Sequence, residues 1–390
     1  VSTGVAIVLF TRDLRVDDNP TLSEAVARSA MVVPLFVHDA RLRARCDART
    51  GLLDRYLADL DDDLRSRGGR LIEREGDAVT EVARVAAQVG ASAVYVARDH
   101  TEHARRRLEH LQRALPRAAI REVDSITVVP AGRITPAGRD AYRIFTPYYN
   151  AWRRTPWRDI TPTPGRITLP PALANEERRA SPSGPRPDRP GPGLKFGRLS
   201  ALRIARETDD EELRRKLAWR DFFAQLLDAD PGLQHRDLLV SDRTWADDPA
   251  LLDAWREGRT GVPIVDAGMR QLAEEGHISN RLRMIVASFL TKDLNVDWRA
   301  GAAHFDRLLL DGDHASNVGN WQWVAGTGTD PRRGRLLSPR RQQQRFDPSG
   351  AYVARWIPEL GTPSYPPPVV DLDDSARRYR ERTARLSFRR

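Results

Sequence analysis

The chain has 390 residues, more than one ordinary core accommodates, so two lobes are the default expectation. Its 63 basic against 54 acidic side chains leave a net charge of +9, which suits a polyanionic partner without identifying one, because only Lys195, Lys216 and Lys292 are lysines and an arginine-rich composition gives the same balance. The lone cysteine, Cys46, excludes an internal disulfide framework or a cysteine-cluster metal site and fits a reducing cytoplasm; the longest apolar run, 31–37, is far short of the roughly twenty residues a membrane span needs, and no secretory signal opens the chain.

The first 130 residues alternate between two periods. AIVLF at 6–10, VVPLFV at 32–37, RLIER at 70–74 and AVYVA at 93–97 are short runs rich in aliphatic and β-branched residues, which predict strands. Leu53, Leu57, Leu60 and Leu64, then Val79, Val82, Ala83 and Ala86, follow helical spacing between them. Strand, helix, strand repeated in this way predicts a parallel sheet covered on both faces. The turn after the first strand reads TRDLRVDDNP, with neither G-x-G-x-x-G nor G-K-[ST], which argues against a dinucleotide or NTP site there. A small ligand is expected in the crevice beyond the carboxyl ends of the strands.

Between Thr155 and Gly193 stand ten prolines, densest in RPDRPGPG, predicting a linker without helix or internal strand. Beyond it the pattern is helical only: 213–227, 249–258, 263–276, 278–294 and 301–310. In the fourth of these, Leu282, Ile285, Val286, Phe289 and Leu290 form a core stripe. Arg281, Met284 and Ser288 fall on another face, flanked by Asn280 and Arg283, either as a solvated surface or as one wall of a ligand cleft.

The segment DGDHASNVGNWQW at 311–323 is open to several readings. An Asx-turn capping the next helix is the plain one. A calcium loop fails, because Ser316 and Gln322 stand where glycine and a bidentate glutamate belong. His314 has no partner ligands at zinc spacing. Trp321 and Trp323, two apart, cannot share a helix face, so one of them should meet something other than core. Carboxylates and amides can hydrogen-bond a heterocyclic cofactor, and indoles stack on planar rings.

LFTRDLRVDDNP near the start, GRTGVPIVDAGMRQL with NRLRMIVASFLTKDLNVDWR, DGDHASNVGNWQWVAGTGTD and FDPSGAYVARWIPEL together resemble the DNA photolyase and cryptochrome family. The resemblance implies a Rossmann-like parallel-sheet α/β domain at 1–130, a connecting Pro-rich linker at 131–200 and an all-helical FAD-binding domain at 201–390. It implies blue-light-driven repair of cyclobutane pyrimidine dimers in DNA by electron transfer from reduced flavin, by a monomer in the cytoplasm. Asp311 and Asp313 match positions that contact the flavin and its ribityl chain, and Asn317 matches the asparagine beside the reactive ring nitrogen. Asn280, Arg281 and Arg283 match positions around flavin and lesion, and Met284 matches the lesion-pocket methionine. Trp245, Trp298 and Trp321 match the family's electron-transfer chain, and Trp219 with Trp323 the aromatic pair that holds the flipped dimer. Arg281, Arg332, Arg333, Arg340 and Arg341 would meet phosphates. An antenna pigment, folate or deazaflavin, is implied for the α/β domain, where no residue set selects one.

Three departures bear on function. Pro187-Asp188-Arg189-Pro190-Gly191 replaces a phosphate-binding stretch rich in amide donors, which leaves Arg189 and Arg198 as substitute anchors. Lys216 stands where a glutamate usually meets the dimer, and Leu213 replaces a tryptophan. The run PRRGRLLSPRRQQQ lacks the aromatics usual there. A cryptochrome-like photoreceptor without repair activity, or a flavin-free nucleic-acid-binding protein on the same scaffold, are the alternatives.

Overall fold

The computed structural model describes residues 4–40, 47–176, 189–330 and 335–386. Cys46, Pro187, Asp188, Arg332 and Arg333 lie outside them. The chain forms two compact units, Val1–Pro231 and Gly232–Arg390.

In the first unit, β1 (Val5–Leu9), β2 (Met31–His38), β3 (Ile72–Glu75), β4 (Ala91–Ala97) and β5 (Ala119–Val123) form a sheet in the order β3-β2-β1-β4-β5. Every neighbouring pair is parallel. Parallel pairing needs crossovers, which α1 (Pro20–Arg28), α2 (Asp47–Arg65), α3 (Ala78–Val89) and α4 (Glu102–Ala114) supply. Ala6 and Val8 of β1 enter one core with Phe36, Leu60 and Tyr95, while Val5, Ile7 and Leu9 enter another with Val33, Val82 and Val94. Burial on both faces is why these strands read as unbroken apolar runs. β5, an edge strand of sequence AIREV, has no such run and escapes the sequence reading.

The strand order reverses between β1 and β4, so their carboxyl ends form the switch point. Arg12 and Asp99 pair across it at 3.3 Å. A turn at Gly197 rests on the Arg12 backbone; its φ is +68°, and a Cβ there would stand 1.9 Å from the Arg12 carbonyl oxygen. Glycine is required on both counts.

The Pro-rich stretch corrects one expectation. Ile167 N–H donates to Arg67 and Val32 N–H to the Thr168 carbonyl, so 167–168 are laid on this unit. After α5 (Phe145–Arg154), however, Pro190–Phe196 forms helix α6, with proline at its first position. A missing N–H costs nothing there, because the first-turn donors have no intrahelical partner. α7 (Ala201–Glu207) and α8 (Glu211–Ala229) complete the unit. Asp221 of α8 is buried and accepts from Val128 N–H, Val129 N–H and the Trp152 indole at 3.0, 2.9 and 2.9 Å. Burial still pushes its carboxyl up to about 6.

The second unit is built from α9 (Pro249–Arg256), α10 (Pro263–Glu275), α11 (Asn280–Ser288), α12 (Trp298–Leu308), α13 (His314–Ala325), α14 (Pro339–Phe346), α15 (Ala351–Trp356) and α16 (Leu372–Arg385). α11 continues into a π-helical turn, Phe289–Asp293. Leu282, Ile285, Val286, Phe289 and Leu290 are all buried in one core with Trp255, Trp298 and Trp321, as their spacing predicts. Buried Asp266 closes the turn before α10, accepting from Thr260 N–H at 2.8 Å, Gly261 N–H at 2.9 Å and the Tyr365 hydroxyl at 2.6 Å. The segment DGDHASNVGNWQW is mostly helix, and Asp313 is the N-cap of α13.

Candidate flavin site and tryptophan cluster

α13 organises the site. The Asp313 carboxylate accepts the Ser316 N–H at 2.9 Å, fixing where the helix begins. Asn317 and Trp321, four apart, then share an inward face, and Trp323 turns to the margin of the core. Trp321 meets Phe305 edge-on at 5.0 Å and Trp255 at 6.0 Å between ring centroids. The two indoles therefore face differently, as their spacing demands.

The Asn317 amide is held from one side. Its Nδ2 donates to the Ala302 carbonyl and to Asp306 Oδ1, both at 2.9 Å. The other Asp306 oxygen meets His314 Nδ1 at 3.2 Å, and His314 Nε2 meets Gln234 Oε1 at 3.1 Å. Both amide protons are thus used. Asn317 Oδ1 is left as an acceptor without a protein partner among the described residues, in a side chain only 8% exposed. A nearly dry acceptor of fixed direction fits the protonated ring nitrogen of a reduced flavin.

Arg283 and Asp311 are brought together: one guanidinium nitrogen donates to both carboxylate oxygens, at 2.9 and 2.8 Å, and Nε donates to the Ile278 carbonyl at 3.0 Å. The pair ties α11 to the segment before α13. Asn280 and Arg281 are exposed in the first turn of α11, with Arg281 over the Phe346 ring at 4.7 Å. Met284 is half-buried at the core margin. Ser288 is fully buried and its hydroxyl accepts the Leu337 N–H at 3.3 Å, so the face shared with Arg281 and Met284 runs from solvent into the interior and is not a uniform wall.

Trp298 is buried with Trp321 in this core, and Trp245 packs on its margin, partly exposed. A parallel bridge between Ala246 and Val296 holds Trp245 beside the turn that enters α12. The Trp298 indole N–H donates to Asp237 Oδ1 at 2.8 Å. Trp255, a fourth indole, donates to the Val286 carbonyl at 3.0 Å. His304 lies edge-on to it at 5.4 Å, and burial, with Arg307 and Arg256, pushes that imidazole down to about 4. Asp237, Asp306 and Trp255 belong to no local motif, and nothing in their immediate sequence marks them.

In the first unit, Trp219 stacks on Phe145 with centroids 3.7 Å apart and planes 6° from parallel, so one face of this indole is already occupied. Lys216 is exposed and pairs with Glu212 at 2.7 Å, one turn away on α8. Arg198 is held by Asp63 at 2.7 Å. In the second unit, Arg340 is exposed, 3.4 Å from Asp373.

Residues 6–166 match the family model described as DNA photolyase, and 213–363 the one described as the FAD binding domain of DNA photolyase. A deoxyribodipyrimidine photo-lyase of Streptomyces griseus is 40% identical over 448 aligned positions, covering 96% of this chain and 98% of that protein. The chain belongs to the DNA photolyase and cryptochrome family. Within that family, a cryptochrome DASH of Natronomonas pharaonis is 32% identical, over 94% of this chain and 98% of that protein. A solved archaeal photolyase from Sulfolobus tokodaii, with two FAD molecules, has a TM-score of 0.85 at 28% identity, covering 97% of this chain and 99% of that one. An α/β sheet domain followed by a helical FAD-binding domain is thus the fold of a photolyase.

Proposed function

We propose that this chain is a light-driven, FAD-dependent deoxyribodipyrimidine photo-lyase, a carbon–carbon lyase that splits cyclobutane pyrimidine dimers in DNA. The observation that carries the reading is the Asn317 amide, whose two N–H groups are spent on Ala302 and Asp306 so that only its oxygen faces a ligand. When bound, reduced FAD supplies the electron that opens the cyclobutane ring and takes it back afterwards. Asn317 Oδ1, the amide atom left free to accept, would take a flavin ring N–H and so favour the protonated, reduced cofactor. Asn280, Arg281, Arg283, Asp311 and Asp313 would hold the cofactor, and Trp321, Trp298 and Trp245 would pass electrons to its site in short hops. In the second unit Trp323 and Met284 are assigned to the extruded bases and Arg281 and Arg340 to the DNA; in the first unit Trp219 is assigned to the bases and Lys216 to the DNA. We assign 1–130 to the α/β antenna domain, 131–200 to the connection and 201–390 to the flavin domain, in a cytoplasmic monomer.

A photoreceptor without repair is the second reading. It is favoured by Lys216, an exposed cation already paired with Glu212, and by the covered face of Trp219. The test is a visible spectrum of the purified protein, then blue light with a dimer-containing oligonucleotide. Restored thymines support repair. Flavin that photoreduces while the dimers persist leaves the photoreceptor, and a protein that cannot retain flavin refutes both.

A further inference from the structure

His314 stands between two oxygens. Its Nδ1 lies 3.2 Å from Asp306 Oδ2 and its Nε2 3.1 Å from Gln234 Oε1. A neutral imidazole carries one N–H and can donate to only one of them, whereas the imidazolium carries two and satisfies both. The surroundings are therefore built for the charged ring. About a third of the side chain, 31%, stays exposed, so water can bring and remove the proton. Gln234 is held in place, because Gln322 of α13 donates to the Leu233 and Arg236 carbonyls at 2.7 and 3.1 Å and accepts the Leu238 N–H at 2.8 Å. The other charged groups near the ring in sequence or on the same elements are engaged elsewhere. Arg307 of α12 is turned to His304 at 3.1 Å, Asp237 is taken by Trp298 and Arg299, and Asp313 accepts the Ser316 N–H.

Asp306 carries the charge of His314 inward, since its other oxygen accepts the Asn317 Nδ2–H at 2.9 Å. With His314 charged, the Asp306–His314 pair is neutral as a whole. With His314 neutral, an uncompensated carboxylate stands one hydrogen bond from the Asn317 amide, and its negative charge opposes the arrival of electrons beside that amide. From this geometry we infer that His314 is a positioning residue that couples solution pH to the redox state of the flavin, through Asp306 and Asn317. The inference rests on the photolyase reading, which puts the flavin ring against Asn317 Oδ1. When dithionite, an external reductant, supplies the electrons, one proton beyond those the cofactor binds passes from water to the unprotonated nitrogen of His314, and no other bond forms or breaks. Linkage makes the effect reciprocal: protonated His314 favours reduced flavin by the same factor by which reduced flavin favours protonated His314.

The experiment is a spectroelectrochemical titration of the FAD-loaded protein between about pH 5 and 8, the range in which histidine side chains change charge. The midpoint potential of the unsubstituted protein is expected to fall more steeply with pH than that of His314→Leu. Across the range the two should diverge by about tenfold in the ratio of reduced to oxidised flavin, which is about 30 mV for a two-electron couple. Gln234→Glu, which adds a second carboxylate, should move the steep region to higher pH, and Gln234→Leu, which removes an acceptor, to lower pH. Nuclear magnetic resonance of labelled histidine rings, assigned with His314→Leu, gives a second readout. His314 should titrate at higher pH with reduced than with oxidised flavin, and in the flavin-free protein Gln234→Leu should lower its titration. Parallel potential profiles for the unsubstituted protein and His314→Leu, or a His314 titration indifferent to the oxidation state of the flavin, would overturn the inference. A purified chain that retains no FAD removes the photolyase reading instead, and the inference with it.

Discussion

Gly301 is the contact on which the packing of α12 against α13 turns, and Gly301→Ala tests it directly. On propensity alone, alanine in a helix interior is better than glycine by about 0.5–1 kcal/mol. Here the added Cβ would stand 2.2 Å from Trp321 Cη2, 2.5 Å from Cζ3 and 2.7 Å from Leu290 Cδ2. Carbon atoms pack at about 3.5–4 Å, so the indole must retreat by more than about 1 Å. It has nowhere ready to go, because Phe305 and Trp255 stand edge-on to it. Overpacking of this kind costs about 1–3 kcal/mol, which outweighs the propensity gain and leaves a net loss of about 1–2 kcal/mol. Urea unfolding should show a lower midpoint at unchanged slope. In a Trp321→Phe background the two indole contacts are gone and only the Leu290 Cδ2 contact at 2.7 Å remains, so the loss from Gly301→Ala should shrink, a coupling of about 1–2 kcal/mol. The same loss in both backgrounds, or no loss in either, refutes the packing argument.

Asp306→Ala leaves a buried Asn317 N–H without its partner, and should lower stability by about 1–3 kcal/mol. With the amide free to turn, the midpoint potential of bound flavin should also shift in a redox titration; an unchanged potential means that Asp306 does not orient the amide. His304 has a folded pKa of about 4 against an ordinary 6.5, so its neutral form contributes stability that is complete above 6.5 and lost as the pH falls through 4. The loss should approach about 3 kcal/mol, and His304→Phe should flatten the stability profile between these values; equal slopes in both proteins would count against a buried neutral imidazole. Lys216→Glu should change stability by less than about 0.5 kcal/mol, since the pair with Glu212 is exposed. If Lys216 sits at the lesion, this charge reversal should sharpen preference for dimer-containing over undamaged DNA in a competition assay; an equal change for both DNAs reassigns it to the phosphate backbone.

Periodicity carried much of the architecture. The apolar runs of β1, β2 and β4 and the stripe from Leu282 to Leu290 are legible because burial on a parallel sheet or one helix face imposes its period on the residues. β5 was not, since an edge strand is held by backbone pairing that asks little of its side chains. The helix at Pro190 was misread because proline forbids a helix interior but suits a first position, and only the folded chain says which it occupies. Motif resemblance singled out Asn317 and the tryptophans as residue types at numbered places. What they are bonded to was decided by tertiary structure alone. Asp306 lies 11 residues before Asn317 and Asp237 lies 61 before Trp298. Hydrogen bonds and buried charges act over a few ångströms of space whatever the distance along the chain. The chemistry available at each position was therefore written in the sequence, while the direction of an amide and the partner of an indole existed only once α12, α13 and the segment at Asp237 had packed together.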